Sequence, residues 1–476
     1  MSQHAENKPN YKVIPIMAAL LLSGFVGMFN ETALNIALSD LIDLFRISNA
    51  AGQWLTTGYL LTLGILLPVT GLLLQRFTMR QLFTASLALS IAGTLIAIFS
   101  PGFSLLLIAR VIQAAGVAVM LPLMYSTVLM IIPPAKRGGA YGLIGLVLVV
   151  APAIGPTISG LLLERLGWNW IFIITLPVLL VALLIGLRHL KNFSTLTKPK
   201  LDLLSLFFST LGFGGIVFGF SSAGEHENGL NSPTVLISIV VGVCSLFFFV
   251  KRQLSLGEPM MDLRAFTYKM FTVGSIMIFL NLMVMLSATI MLPMFLIRGL
   301  GLNAFEAGLA MLPGGIVNAV MLPIMGKIFD KYGPKWVVPI GMAMIVAVLW
   351  LLSGITVNTA LLQIMILHSF LMIGIAMVWM PSQANGLNQL PPQLYSHGSA
   401  IMNTIQQLAG AIGTAVAVSI MTLGMNEYLK DSANEPNIES LAAATGIANV
   451  FTIAIFIAAI GFVCSFFIKR VHVSNS

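Results

Sequence analysis

The chain has 476 residues, 58% of them hydrophobic and only 8% charged, with a mean hydropathy of +0.97. Soluble domains carry about 25% charged residues, so a soluble globular protein is excluded and a polytopic membrane protein is expected. The formal net charge of +8 does not mark a nucleic-acid binder, because the basic residues fall in short loops between apolar runs, where they orient spans in the bilayer.

A hydrocarbon core of about 30 Å requires about 20 apolar residues per helix. Fourteen segments qualify: 13–38, 50–74, 81–100, 104–131, 139–163, 168–188, 203–222, 233–250, 271–297, 305–327, 335–356, 360–387, 398–424 and 443–468. The polar start MSQHAENKPNYK leads into the first segment without a small-residue cleavage site, so that segment is read as a retained helix. Placing the N-terminus in the cytoplasm puts nineteen Lys and Arg on the inside, from Lys8 and Lys12 to Lys469 and Arg470. Four, Arg46, Arg165, Arg298 and Lys430, face outside. This bias predicts an even number of spans and both termini in the cytoplasm.

The first segment contains FNETALNIALS, residues 29–39, with Asn30 and Glu31 inside an otherwise apolar run. Glu31 is the only carboxylate well within a predicted span; the others fall near ends. The second segment opens with QWLTTGYLL, which places Tyr59 as a cavity candidate, and closes on GLLLQRFTMR with Gly71, Arg76 and Arg80. In the fourth, RVIQAAG sets Arg110 and Gln113 in mid-membrane. A guanidinium there costs about 2.5–3.5 kcal/mol on insertion scales, so it must face a partner or water. The fifth holds APAIGPTISG. Pro152 and Pro156 each remove a backbone hydrogen bond, while Gly155 and Gly160 admit close approach of a neighbour, which predicts a bend along a tight seam. Trp168 and Trp170 open the sixth segment and read as interfacial belt residues.

An internal echo follows. GKIFDKYGPK (residues 326–335) closes the tenth segment as GLLLQRFTMR closes the second. Equivalent basic turns divide the chain into a six-helix bundle over 1–191, linkers and an inserted pair of helices over 192–262, and a second six-helix bundle over 263–476. Asp202 is expected to cap the seventh helix, and Glu306 follows Asn303 at capping-box spacing. His368 reads as a neutral, hydrogen-bonded histidine. Asn281, Asn318, Gln406 and Gln407 are candidates to line the second half of a cavity.

These motifs together resemble the fourteen-helix drug:proton antiporters of the major facilitator superfamily, over nearly the whole chain. Residues 326–335 follow the family's loop signature G-x-L-x-D-R-x-G-R-R through Gly326, Asp330, Lys331 and Gly333, whereas the first copy has Gln75 in place of the acid and Thr78 in place of the glycine. The resemblance implies that this loop latches one conformation. RVIQAAG is similar to the family's R-x-x-Q-x-x-G, and APAIGPTISG to the G-P-x-x-G-G motif that accompanies antiport. WNWIFIITLP and EPMMDLRAF also have family counterparts. The first-helix motif L-D-x-T-x-V-N-x-A-L-P is matched at Thr32, Asn35, Ala37 and Leu38, with Asn30 at the acid's position and Glu31 one residue on.

The function so predicted is proton-coupled export of amphipathic drugs by alternating access in the bacterial cytoplasmic membrane, with Glu31 and Arg110 coupling the proton and Asn30, Tyr59, Gln113, Asn318 and Gln406 as cavity candidates. Expected substrates are small, lipophilic and monocationic, neutral or zwitterionic, because one interior carboxylate offers one negative charge. A transporter rather than an enzyme is expected, acting as a monomer, with no cofactor and no metal. ATP-driven export is disfavoured by the absence of a G-x-x-x-x-G-K-[ST] loop, and an intramembrane enzyme by the scatter of the six His. The alternative is a proton-coupled exporter or facilitator of one metabolite on the same fold.

Overall fold

The computed structural model describes residues 12–192, 196, 202–223, 232–431 and 438–471. Lys8, Lys198, Lys200 and most of the linker around them lie outside the described residues. What is described is helical, and the first half runs α1 (Val13–Ala33), α2 (Leu38–Phe45), α3 (Asn49–Arg76), α4 (Met79–Ile98), α5 (Phe103–Ile131), α6 (Arg137–Leu166) and α7 (Trp170–His189). The inserted pair is α8 (Leu203–Ala223) and α9 (Pro233–Ser255). The second half comprises α10 (Lys269–Met294), α11 (Ala304–Tyr332), α12 (Val337–Ser353), α13 (Leu361–Asn388), α14 (Tyr395–Asp431) and α15 (Ile438–Ser465). Among the described residues thirteen helices are long and apolar enough to span a bilayer, and the 17-residue α12 is the fourteenth apolar helix.

Local chemistry sets the ends. Ser48 accepts from Ala51 N–H at the start of α3. Thr78 and Gln81 form a capping box on α4, and Asn303 and Glu306 form the one on α11 that their spacing predicts. Asp202 does more than cap. Its carboxylate accepts from Arg252 Nε and Nη2 at 2.6 and 2.8 Å and from Ser205 Oγ, clamping the foot of α8 to α9. The hydrogen bond from Arg252 is the main reason its acidity is strengthened to a pKa of about 2.

The first predicted span differs from the structure. Instead of one helix over 13–38, α1 stops at Ala33, a turn follows, and the eight-residue α2 ends on Arg46 in the left-handed region at φ 52°. Polar groups are satisfied at the break: Asn35 Oδ1 accepts from Thr56 Oγ1 of α3 at 2.8 Å, and the freed carbonyls of the last α1 turn are taken up by other helices, as described below.

Across the middle of the molecule α6 packs on α11 and α3 on α14. The α6–α11 seam is backbone against backbone: a Cβ on Gly142 would lie 2.6 Å from Pro323 Cα, and one on Gly326 would strike Gly138 O. Helix α8 packs on both α3 and α14, so the inserted pair sits where the two halves meet.

Candidate functional site

An α-helix leaves its last four carbonyls without intrahelical partners. Because α1 stops at Ala33, those of Asn30 and Glu31 are free, and they lie deep in the protein. Arg110 of α5, wholly buried, meets both: Nη1 donates to Asn30 O at 2.7 Å and Nη2 to Glu31 O at 3.5 Å, while Nε donates to Leu55 O of α3 at 3.3 Å. The guanidinium lies 4.2 Å over the Tyr59 ring, and Gln113 Oε1 accepts from it at 3.3 Å. A cation at a helix C-terminus is also favoured by the helix dipole. Arg110 therefore holds the broken end of α1 through its backbone and forms no ion pair with the Glu31 side chain; the two ion pairs among the described residues are Arg252–Asp202 and Arg264–Asp262.

The proline–glycine motif joins the same place. Pro156 has no N–H, so the carbonyl of Pro152, four residues back, loses its helix partner; Thr32 Oγ1 donates to it at 3.2 Å. Gly155 makes this approach possible, since a Cβ there would stand 2.6 Å from Thr32 Oγ1. Gly160 lies further along α6 beside Ile36, with room to spare.

The Glu31 side chain opens onto a cavity of about 270 Å³ between the halves. Opposite it stand Gln406, Gln407 and Thr414 of α14 and Leu286 of α10, with Leu60 of α3 on its own side. Gln406 Nε2 donates to Gln383 Oε1 of α13 at 3.1 Å. Ligand pockets usually measure about 300–1,000 Å³, so a drug-sized molecule requires the halves to part further. Of the predicted cavity residues, Gln406 and Gln407 line this wall, together with the predicted coupling residue Glu31. Tyr59 and Gln113 lie behind it supporting Arg110, with Tyr59 Oη donating to Gly27 O at 3.0 Å. Asn30 is buried, its Oδ1 without a hydrogen-bond partner among the described residues. Asn318 is fully buried within the second half, donating to Met372 O at 2.8 Å.

At the lysine- and arginine-rich end, the second loop signature reaches across the interface. Asp330 at the foot of α11 accepts from Gly138 N and Gly139 N, each at 2.8 Å. These are free first-turn donors of α6, where a carboxylate is favoured. Arg137 beside them donates to Leu129 O at 2.6 Å and crosses to Asn388 Oδ1 of α13 at 3.1 Å. Arg470 caps the end of α11 through Asp330 O and Lys331 O, and Gly333 turns the chain at φ 77°. Lys331 lies over its neighbour Tyr332.

Among the described residues, the arginines of the first copy make no such crossing. Arg80 Nη2 donates to Leu187 O of α7 at 3.1 Å, and Arg76 simply ends α3. Gly71 lies where α3 crosses α14, and there the linker fills the seam. A Cβ on Gly71 would stand 3.4 Å from Met260 O and 3.6 Å from His397 Nδ1, and Asp262 N–H donates to that nitrogen at 3.0 Å. Sequence reasoning singled out Asp330 but not its receptors. The signal was present as Arg137-Gly138-Gly139 opening a helix, because glycines at the first turn leave its N–H groups uncovered.

A helical bundle in two halves around a central cavity, with an embedded carboxylate on the wall and a latch across one end, defines a membrane transporter. The sequence profile of the Major Facilitator Superfamily matches residues 20–414, and the chain belongs to that superfamily. It is 56% identical over 473 residues to the lincomycin resistance protein LmrB of Bacillus subtilis, covering 99% of both chains. To LmrB of Listeria monocytogenes it is 55% identical over 471 residues, 99% of this chain and all of the other. The multidrug export protein EmrB of Escherichia coli is 28% identical over 415 residues, 86% of this chain and 80% of its own. Among solved structures, the human organic anion transporter MFSD10 superposes with a TM-score of 0.66 at 13% identity, covering 94% of this chain and 99% of that one. The proton:xylose symporter XylE gives 0.62 at 15%, covering 94% and 95%. At those identities the likeness is one of fold.

Proposed function

We propose that this protein is a proton-coupled exporter of amphipathic drugs, lincosamide-like compounds among them, across the bacterial cytoplasmic membrane. The observation that carries the reading is Glu31. It is the membrane-embedded carboxylate on the wall of the cavity, on a helix end held by Arg110 and by the proline–glycine helix. A group that must bind either a proton or a substrate needs access from a cavity that both can enter. The near full-length similarity to lincomycin resistance proteins supports drugs as the cargo.

The cycle follows from the latch. The bundles 1–191 and 263–476 rock about the cavity, and the Asp330–Gly138/Gly139 contact closes the cytoplasmic end while the cavity faces outward. In that state Glu31 releases its substrate and takes a proton; reopening of the α6–α11 seam exposes it to the cytoplasm, where the proton leaves and the next substrate binds. Arg110 acts by positioning: it fixes the α1 end without neutralising Glu31 in an ion pair. The transported molecules are small, lipophilic and monocationic, neutral or zwitterionic, and the transporter acts as a monomer. The test is purified protein in liposomes with an imposed pH gradient, assayed for lincomycin and a monocationic dye. Wild type should export both in a gradient-dependent way, and Glu31→Gln should retain binding but lose the dependence on the gradient. Gradient-driven transport by Glu31→Gln at the wild-type rate would remove Glu31 from the mechanism.

A further inference from the structure

Two of the fourteen apolar helices lie outside the two bundles, and the cavity shows what one of them does. Val217, Phe220 and Ser221 of α8 stand on the cavity wall together with Glu31 and Gln406. The position is built on both sides. Toward the first half, Val217 fills the notch left by Gly64 of α3, where a Cβ would lie 2.8 Å from Val217 Cγ2; Gly214 lies against Ile65, and Phe218 stacks on Trp54 at 5.9 Å. Toward the second half, Phe220 joins Val235 of α9 and Ala415 of α14 in one apolar cluster. The opposite face of the pair, with Phe207 56% and Phe247 65% exposed, turns to lipid. Helix α8 thus packs on both α3 and α14 and lines the cavity between them.

We propose that α8 is a specificity wall of the transport cavity, with Phe220 and Ser221 contacting the substrate. This rests on the drug-export reading and deepens it. Glu31 and the glutamines of α14 supply charge and hydrogen bonds, whereas Phe220 supplies an aromatic face against which the apolar part of an amphipathic molecule stacks. Ser221 adds one hydroxyl beside it. Substrates with a flat or bulky apolar moiety depend on this wall, and small polar ones do not.

The test uses full-length protein with Cys244 and Cys464 replaced by Ala. In one arm, Ser221→Cys is alkylated by a water-soluble maleimide with and without ethidium or lincomycin; ligand should slow labelling at least fivefold, while Glu258→Cys, exposed on the linker and away from the cavity, should show no protection. This arm reads occupancy and is independent of proton coupling, so a failure of the coupling assignment leaves it intact. In the other arm, Phe220→Ala and Phe220→Trp are compared with Phe207→Ala by KM in proteoliposomes. Phe220→Ala should raise the KM for ethidium at least fivefold and that for lincomycin less, changing their ratio, with Phe207→Ala unchanged. Equal labelling of Ser221→Cys with and without both ligands, or one common factor for all substrates in the Phe220 variants, would overturn the proposal, the latter because a packing role alone scales every substrate together.

Discussion

Replacing Gly138 by Ala should unlatch one end of the transporter. A Cβ at this position would stand 2.6 Å from Asp330 Oδ1 and 2.7 Å from Phe329 Cδ1, and it would strike the carbonyl of Gly326. Two of these obstacles cannot rotate away. One is backbone, and the other is a carboxylate held by two N–H groups at 2.8 Å. Overpacking of this kind costs about 1–3 kcal/mol. The clash exists only while α6 and α11 are in contact, so the whole cost falls on the closed arrangement and shifts its population relative to the open one by about 5- to 150-fold. Gly326→Ala removes the same contact from the other side, so the double variant should be little worse than either single one. The assay is the distance distribution between spin labels at Lys136→Cys and Lys331→Cys, both exposed and on opposite sides of the seam. The variant should populate a longer distance in detergent without ligand. A distribution identical to that of the parent, in protein of unchanged thermal stability, would refute the argument that this glycine pair is what lets the end close.

Paired dyes of similar size bearing one or two fixed charges should separate at least tenfold in affinity, because Glu31 is the one carboxylate lining the cavity among the described residues, with Asp330 committed to the α6 donors and Glu306 to its capping box. A second buried cationic charge would remain unpaired at a cost of a few kcal/mol, and equal transport of both dyes would contradict this. Arg110→Lys should retain the fold by size-exclusion chromatography yet lose most coupled transport, because an ammonium cannot span the carbonyls of Asn30, Glu31 and Leu55 as the planar fork does; coupled transport at the parental rate would show that the geometry of α1 does not depend on it. Thr32→Val, which leaves Pro152 O without its donor, should slow exchange with little change in equilibrium binding, read by counterflow, and an unaltered rate would remove this bond from the rocking interface. Asp202→Asn should lower thermal stability modestly, by about 1 kcal/mol for a partly exposed pair. With a folded-state pKa of about 2, below the ordinary value of 3.8, the ionised carboxylate contributes stability that is fully present above pH 4 and lost only as pH falls toward 2. The difference from wild type should therefore be flat between pH 5 and 8, and a pH-dependent difference there would be inconsistent with that clamp.

Span number and the family were legible in the residues because they rest on local quantities. Runs of about 20 apolar residues declare helices in lipid without reference to any partner. The capping box at Asn303 needs only three residues of spacing. Glu31 stood out for the same reason, as a carboxylate in a run where nothing local satisfies it. The echo of residues 71–80 in 326–335 was equally visible, and so was the degradation of its first copy at Gln75.

What Glu31 and Arg110 do to one another was decided in three dimensions. Their sequence separation says nothing about which atoms meet, and the guanidinium goes to the carbonyls of α1 because that helix breaks at Ala33, just before Asn35 meets Thr56 of another helix. Asn318 looked like a cavity residue and instead bonds Met372 O, since the face a polar side chain presents depends on helix rotation, which packing sets. The proline–glycine motif announced a bend, but only the fold brought the unpaired Pro152 carbonyl to Thr32. Helices α8 and α9 carry no charged residue in their middle turns; the place of α8 on the cavity wall follows from Val217 fitting the notch at Gly64, a shape match between segments some 150 residues apart that apolar composition cannot encode.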